Sequence, residues 1–229
     1  MKEYTTISSK DNLKIALFSN HFKSEKGVLV LTHGMGEHAL RYLEMANFFT
    51  AEGFTIVAFD IRGHGLSEGR RGHTPSYDLL MDDLDRVYSK VKADYPSLPI
   101  FLFGHSMGGN LVLNFLLRKP NELKGAMVTG PYLKLGFEPP KWKIALAKLT
   151  SNVWPTLSQP TELELEALSR NKEVIRKYED DDLVHDRITS SFFIHVHFAG
   201  QYAIDNAKIY SLTNWKPAQH FDKNIQETI

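Results

Sequence analysis

The stretch Gly104-His105-Ser106-Met107-Gly108-Gly109 constrains the fold of this chain more than any other. An apolar run, Ile100-Phe101-Leu102-Phe103, leads into it, and a helical pattern leaves it through Leu117. A Gly-x-Ser-x-Gly placed between a buried strand and a helix must turn within about two residues. The turn forces Ser106 into a strained backbone conformation. Glycine at 104 and 108 removes the side chains that would collide there. The Ser106 hydroxyl is thereby raised above the sheet edge at a helix N-terminus. Backbone N–H groups and the helix dipole favour a developing oxyanion at that place. Ser106 is therefore the candidate nucleophile. The bland alternative is a glycine-rich turn, one that binds phosphate. Against it, no Lys follows these glycines, as the Gly-x-x-x-x-Gly-Lys-Ser/Thr loop requires.

The surrounding pattern supplies the fold class. Residues 4–20 alternate around Asp11-Asn12 and read as a hairpin. Short apolar runs at 27–34, 54–60, 99–104 and 125–130 read as buried strands of parallel type. Helical stripes separate them. One covers 41–52 and is stopped by Gly53; another covers 76–94, with Ser76 as its cap. Strand and helix in this rhythm imply an α/β fold, a mainly parallel sheet flanked by helices. Residues 131–186 break the rhythm with five prolines, many charges and no clear strand. They read as a helical insertion over the sheet. Residues 187–207 fit both periods, and their length favours helix. The resulting organisation is a core at 1–130, a helical cap insertion at 131–206 and an atypical tail at 207–229.

Composition removes several functions. Lys plus Arg and Asp plus Glu are each 27, so no global field draws in nucleic acid. There is no Cys, hence no disulfide, thiolate metal site or Cys nucleophile. No apolar run reaches a membrane span, and residues 1–6 lack a signal-peptide core. A cytoplasmic protein is expected. His195-x-His197 lacks a third ligand at a sensible spacing, and on a helix the two point to different faces. No metal and no cofactor are expected.

Two further motifs surround the serine. His33-Gly34-Met35-Gly36-Glu37-His38 closes the first buried strand. Acyl transfer at a serine needs two N–H donors around the oxyanion. One belongs to the residue after the nucleophile, here Met107. The other comes from a loop after an earlier strand, which makes Met35 the candidate. Alone, the loop reads as a glycine-rich turn without catalytic duty. Asp60-Ile61-Arg62-Gly63-His64-Gly65-Leu66-Ser67 follows the second buried strand. His64 tempts as a base, but the usual order in such folds is Ser, acid, His. The segment reads as a structural loop beside the oxyanion loop, with His33 and His38 structural too.

With these motifs in register, the chain resembles the monoacylglycerol lipase and lysophospholipase branch of the α/β-hydrolases, a grouping that overlaps the serine aminopeptidase-like family. Arg41-Tyr42 belongs with the first motif, Ser169-Arg170-Asn171 and residues 178–185 add less specific matches, and the resemblance covers about residues 10–207. It implies an α/β-hydrolase fold and a serine ester hydrolase acting through an acyl-enzyme on a lipid ester. It also implies a cap whose apolar residues (Leu133, Leu135, Phe137, Trp142, Leu146, Trp154) line an acyl tunnel or hold the cap to the core. Membrane contact would be at most transient, through the cap. A small-ester carboxylesterase or peptide hydrolase of the same fold is the alternative within the class. A non-catalytic lipid-binding fragment is the alternative outside it.

The family pattern stops near Ala207. Two further strand–helix units, bearing the acid and the histidine, would need roughly 60 residues. Only 22 residues follow Ala207. Asp222 sits where distance alone would put the acid, and His220 has no better support as base. The expectation is a C-terminally incomplete hydrolase, truncated or frame-shifted and impaired in turnover. The strand at 125–130 would become an open sheet edge prone to self-association.

Overall fold

The computed structural model describes residues 3–22, 26–119, 122–136, 139–161 and 169–206. The hairpin is β1 (Glu3–Ser8) and β2 (Lys14–Asn20), paired antiparallel from Glu3↔Ser19 to Ser8↔Lys14. Asn12 makes the turn at φ 66°, a left-handed conformation that Asn tolerates. The remaining strands are β3 (Gly27–Thr32), β4 (Phe54–Phe59), β5 (Ile100–His105) and β6 (Gly125–Thr129). Together they form one sheet of order β1-β2-β4-β3-β5-β6. β2 joins β4 antiparallel, and β4, β3, β5 and β6 are mutually parallel.

All six residues of β3 are buried, as an inner strand covered on both faces requires. Side chains alternate between two cores. Val28 and Val30 face α2 (Tyr77–Asp94) and α3 (Met107–Arg118), beside Leu80, Leu84, Leu111 and Phe115. Leu29 and Leu31 face the other way, with Ala46 of α1 (Leu43–Ala51) and Phe103. A single 3₁₀ turn, Ala39–Tyr42, precedes α1. α2 begins as its sequence indicates, since Ser76 Oγ accepts the Leu79 N–H at 3.2 Å. Each fully buried Leu or Val on these faces contributes roughly 1.5–3 kcal/mol.

The segment beyond β6 holds α4 (Lys141–Val153), β7 (Ser158–Pro160), α5 (Lys172–Glu179), β8 (Arg187–Thr189) and α6 (Ser190–Asn206). The reading of no strand in 131–186 needs correction. β7 and β8 pair antiparallel, Ser158↔Thr189 to Pro160↔Arg187. Three residues are too few to leave an alternating signature. α6 resolves the ambiguity at 187–207 toward helix, with Phe192, Val196 and Ala199 in the main core beside α2 and α3. Residues 207–229, with Asp222 and His220, lie outside the described residues, as does Phe137.

An unexpected tie binds the hairpin to the helices. Arg62, only 1% exposed, donates to Asp83 at 2.6 and 2.9 Å and to Asp11 at 2.9 and 3.0 Å. The Arg62 guanidinium beside Asp11 draws its carboxyl down to about 2. Burial pushes the Asp83 carboxyl up, against the pull of Arg62.

Candidate active site

Ser106 connects β5 to α3 at φ 51° and ψ −116°, and it is the N-cap of that helix. Apart from Asn12, it is the non-glycine residue at positive φ among the described residues. The strain is held from several sides. Ser106 N–H donates to Thr129 O of β6 at 3.0 Å, and Ser106 O accepts from Asn110 at 3.1 Å and Tyr132 at 2.9 Å. The glycines explain the turn. A Cβ on Gly104 would stand 2.5 Å from Gly108 O and 2.8 Å from Gly109 Cα. A Cβ on Gly108 would stand 2.5 Å from His33 O, at the end of β3. The elbow thus packs backbone against backbone, and no side chain fits between.

The loop after β3 lies against the serine. A Cβ on Gly34 would come within 3.3 Å of Ser106 Cβ. Glu37 shapes this loop, because its Oε1 accepts the Gly34 N–H at 2.7 Å and the Tyr42 hydroxyl at 2.6 Å. The loop is also fastened below. Asp60, fully buried, accepts the Ala39 N–H through Oδ1 and the Leu66 N–H through Oδ2, both at 2.7 Å. His33 Nδ1–H donates to Gly34 O at 2.7 Å while its Nε2 accepts the Ile61 N–H at 3.0 Å. One neutral tautomer satisfies both bonds. Met107 is the first residue of α3, where an N–H has no partner within the helix. Neither the Met35 nor the Met107 N–H bonds a backbone carbonyl among the described residues.

The histidines do other work. His64 is fully buried, its Nδ1 3.0 Å from Arg62 O and its ring between His33 and His185 at 5.4 and 4.5 Å. Burial pushes its pKa well down, and the neighbouring His33 and His185 push it further. Burial lowers His33 too, and burial with Arg71 nearby brings His185 down to about 4. These rings are neutral packing groups at pH 7. Among the described residues, no imidazole or carboxylate is hydrogen-bonded to the Ser106 hydroxyl. His195 bonds Pro75 O at 3.2 Å and His197 stacks on Phe193, so the pair does not converge. Among the described residues, no group of three or more His, Cys, Asp or Glu is placed to hold a metal.

Sequence reasoning missed the clasp over this loop. His38 Nε2 lies 2.8 Å from Asp181 Oδ2, across 143 residues of chain. Arg41 lies 3.6 Å from the same carboxylate and 4.6 Å over the Tyr178 ring. His185 N–H donates to Gly36 O at 2.9 Å. Burial opposes ionisation of Asp181, yet the His38 bond and Arg41 hold its carboxyl below the ordinary range. The only sequence signal was that 36–42 and 178–185 both carry family-like residues. Several apolar residues of the insertion are half or more exposed. Trp142, Leu146, Leu149 and Trp154 are 50–63% exposed.

The family described as serine aminopeptidase, S33, matches residues 23–214. The monoacylglycerol lipase of Mycolicibacterium smegmatis is 36% identical over 161 residues, which cover 70% of this chain and 57% of that protein. The human monoglyceride lipase is 32% identical over 172 residues, 73% of this chain and 56% of that protein. The chain spans little more than half the length of these curated relatives. Among solved structures, Paleococcus ferrophilus monoacylglycerol lipase has a TM-score of 0.74 at 34% identity, covering 84% of this chain and 73% of that one. A soluble variant of monoglyceride lipase from Saccharomyces cerevisiae, in complex with a substrate analog, has a TM-score of 0.75 at 23% identity, a likeness of fold.

Proposed function

The chain belongs to the serine aminopeptidase S33 family of α/β-hydrolases, in its monoacylglycerol lipase branch, and on that premise we propose that its site is that of a serine hydrolase for lipid monoesters. The observation that carries the reading is Ser106 at positive φ between β5 and α3, with the Gly34 loop against its Cβ. In the proposed reaction, Ser106 Oγ attacks the ester carbonyl carbon. The Met35 and Met107 N–H groups take the negative charge of the tetrahedral intermediate. The alcohol leaves, an acyl-enzyme forms, and water releases the fatty acid.

The proton of Ser106 needs an imidazole acceptor. None of the described residues supplies one, so the described part alone holds an oxyanion site beside an ordinary hydroxyl. We therefore expect impaired turnover wherever no further histidine reaches Ser106. Residues 131–206 are proposed as the cap, with α6 rooting it in the core and the Asp181–His185 clasp seating it on the oxyanion loop. Trp142, Leu146, Leu149 and Val153 recur on one face of α4 and are exposed, which suits transient contact with a lipid surface. Among the described residues β6 is an edge strand, with Met127 40% exposed, which supports self-association there.

The test is labelling of the 229-residue chain with a fluorophosphonate probe, with Ser106→Ala as control. The expected result is slow labelling confined to Ser106. Labelling that persists in Ser106→Ala would overturn the site. Ester turnover equal to that of a full-length relative, and lost in Ser106→Ala, would overturn the impairment.

A further inference from the structure

Away from Ser106 and its oxyanion loop, a cavity of about 440 Å³ opens where the loop after β4 meets the β7–β8 ribbon. Arg70, Arg71 and Arg187 line it, with Ser158, Trp154 and Leu157. Among the described residues, no carboxylate belongs to this lining. Backbone hydrogen bonds tie together the segments that carry the three cations. Thr189 N–H donates to Gly72 O at 2.9 Å, tying β8 to the residue beside Arg71. Ser190 N–H donates to Leu157 O at 3.0 Å, and Pro160 pairs with Arg187 across the ribbon. Arg71 is aimed by its own bond, Nη1 to Gly65 O at 2.8 Å, and its other N–H donors have no partner among the described residues. Among the described residues, Arg187 has one acidic neighbour, Asp186, at 3.6 Å and itself exposed. Ser158 Oγ is buried and has no hydrogen-bond partner among the described residues.

Three like charges held together by backbone bonds repel one another, and an anion placed among them removes that repulsion. Guanidinium forks match the oxygens of a phosphate, several of which can be engaged at once, better than they match the two of a carboxylate. We propose that this cavity is a binding site for a phosphate group, with Arg70, Arg71 and Arg187 as its donors. The volume exceeds that of phosphate alone and leaves room for a larger molecule that carries the group. The indole of Trp154 and the Leu157 side chain form an apolar wall for whatever is attached. A phospholipid headgroup and a small phosphate ester share this chemistry. The site is independent of the assignment at Ser106.

The experiment measures binding by the full chain and by an Arg70→Gln/Arg187→Gln double variant. Both of these side chains are exposed, and Arg71 is left in place because it holds Gly65. Glycerol 3-phosphate and inorganic phosphate are titrated calorimetrically. Vesicles of phosphatidylcholine, with and without phosphatidic acid, are tested by co-sedimentation. Saturable binding of a soluble phosphate, weakened at least tenfold in the double variant, assigns the site to a small ester. Binding only to phosphatidic acid vesicles, with the same dependence on the arginines, assigns it to a headgroup. No saturable binding to any probe, or binding that the double variant retains, overturns the proposal. Unchanged circular dichroism certifies the variant's fold, and the single Arg187→Gln change, at a 53% exposed side chain, serves if the double variant fails it.

Discussion

Asp60→Ala tests whether the oxyanion loop is held by the loop beneath it. The Asp60 side chain is fully buried, and its two oxygens accept the Ala39 and Leu66 N–H groups at 2.7 Å each. Alanine removes both acceptors and leaves two N–H donors without another partner among the described residues. Each such loss costs about 1–3 kcal/mol, so the pair predicts about 2–6 kcal/mol. A chain of this length loses roughly 2–4 °C of Tm per kcal/mol, so a fall of about 10 °C is expected from the middle of that range. Asp60→Asn keeps one acceptor oxygen and should lose about half as much. The assay is urea unfolding of the three proteins, followed by circular dichroism and read as ΔG at a common slope. Fluorophosphonate labelling of the folded fraction is the second readout. Ala39 follows the Gly34–His38 loop directly, so its release should slow labelling of Ser106 further than destabilisation alone explains. An Asp60→Ala chain within about 0.5 kcal/mol of the parent would refute the argument, since it would mean that both N–H groups are satisfied without the carboxylate.

Acid should destabilise the fold early. His33, His64 and His185 all have folded pKa values below the unfolded value near 6.5, with His185 at about 4. The unfolded chain therefore binds more protons below pH 6.5. Stability is full above that pH and falls as pH drops toward 4, by up to about 1.4 kcal/mol per pH unit for each histidine. Urea midpoints at pH 7.5 and 5.5 check this, and an equal or higher midpoint at 5.5 would contradict it. Ser106→Gly should raise Tm while abolishing probe labelling, because glycine tolerates φ 51° and releases about 1 kcal/mol of net backbone strain. A lower Tm for Ser106→Gly would show that the elbow is not strained. At the sheet edge, Met127→Lys should shift sedimentation toward monomer at high concentration, as an edge charge blocks strand pairing; association unchanged by this substitution would remove β6 as the contact.

What was legible in the sequence was whatever local chemistry dictates. The elbow could be read because Gly104, Ser106 and Gly108 must lie adjacent for the turn to exist, and buried strands such as β3 announce themselves by unbroken apolar runs. The 3.6-residue stripe and the Ser76 cap placed α2 to within a residue. What escaped depends on partners distant along the chain. Arginine belongs at the surface by ordinary preference. Arg62 is buried because Asp11 and Asp83, from the hairpin turn and α2, meet its donors in space. Nothing local in the sequence shows that Glu37 accepts the Gly34 N–H or that His38 reaches Asp181 across 143 residues. The candidate site therefore divides along a physical line. Its proposed nucleophile is built from short-range strain, whereas its proposed oxyanion loop is positioned by hydrogen bonds from the β4 loop and the clasp at 178–185. Substitutions at Asp60 and Asp181 should accordingly alter how Ser106 reacts while leaving the elbow's own geometry intact.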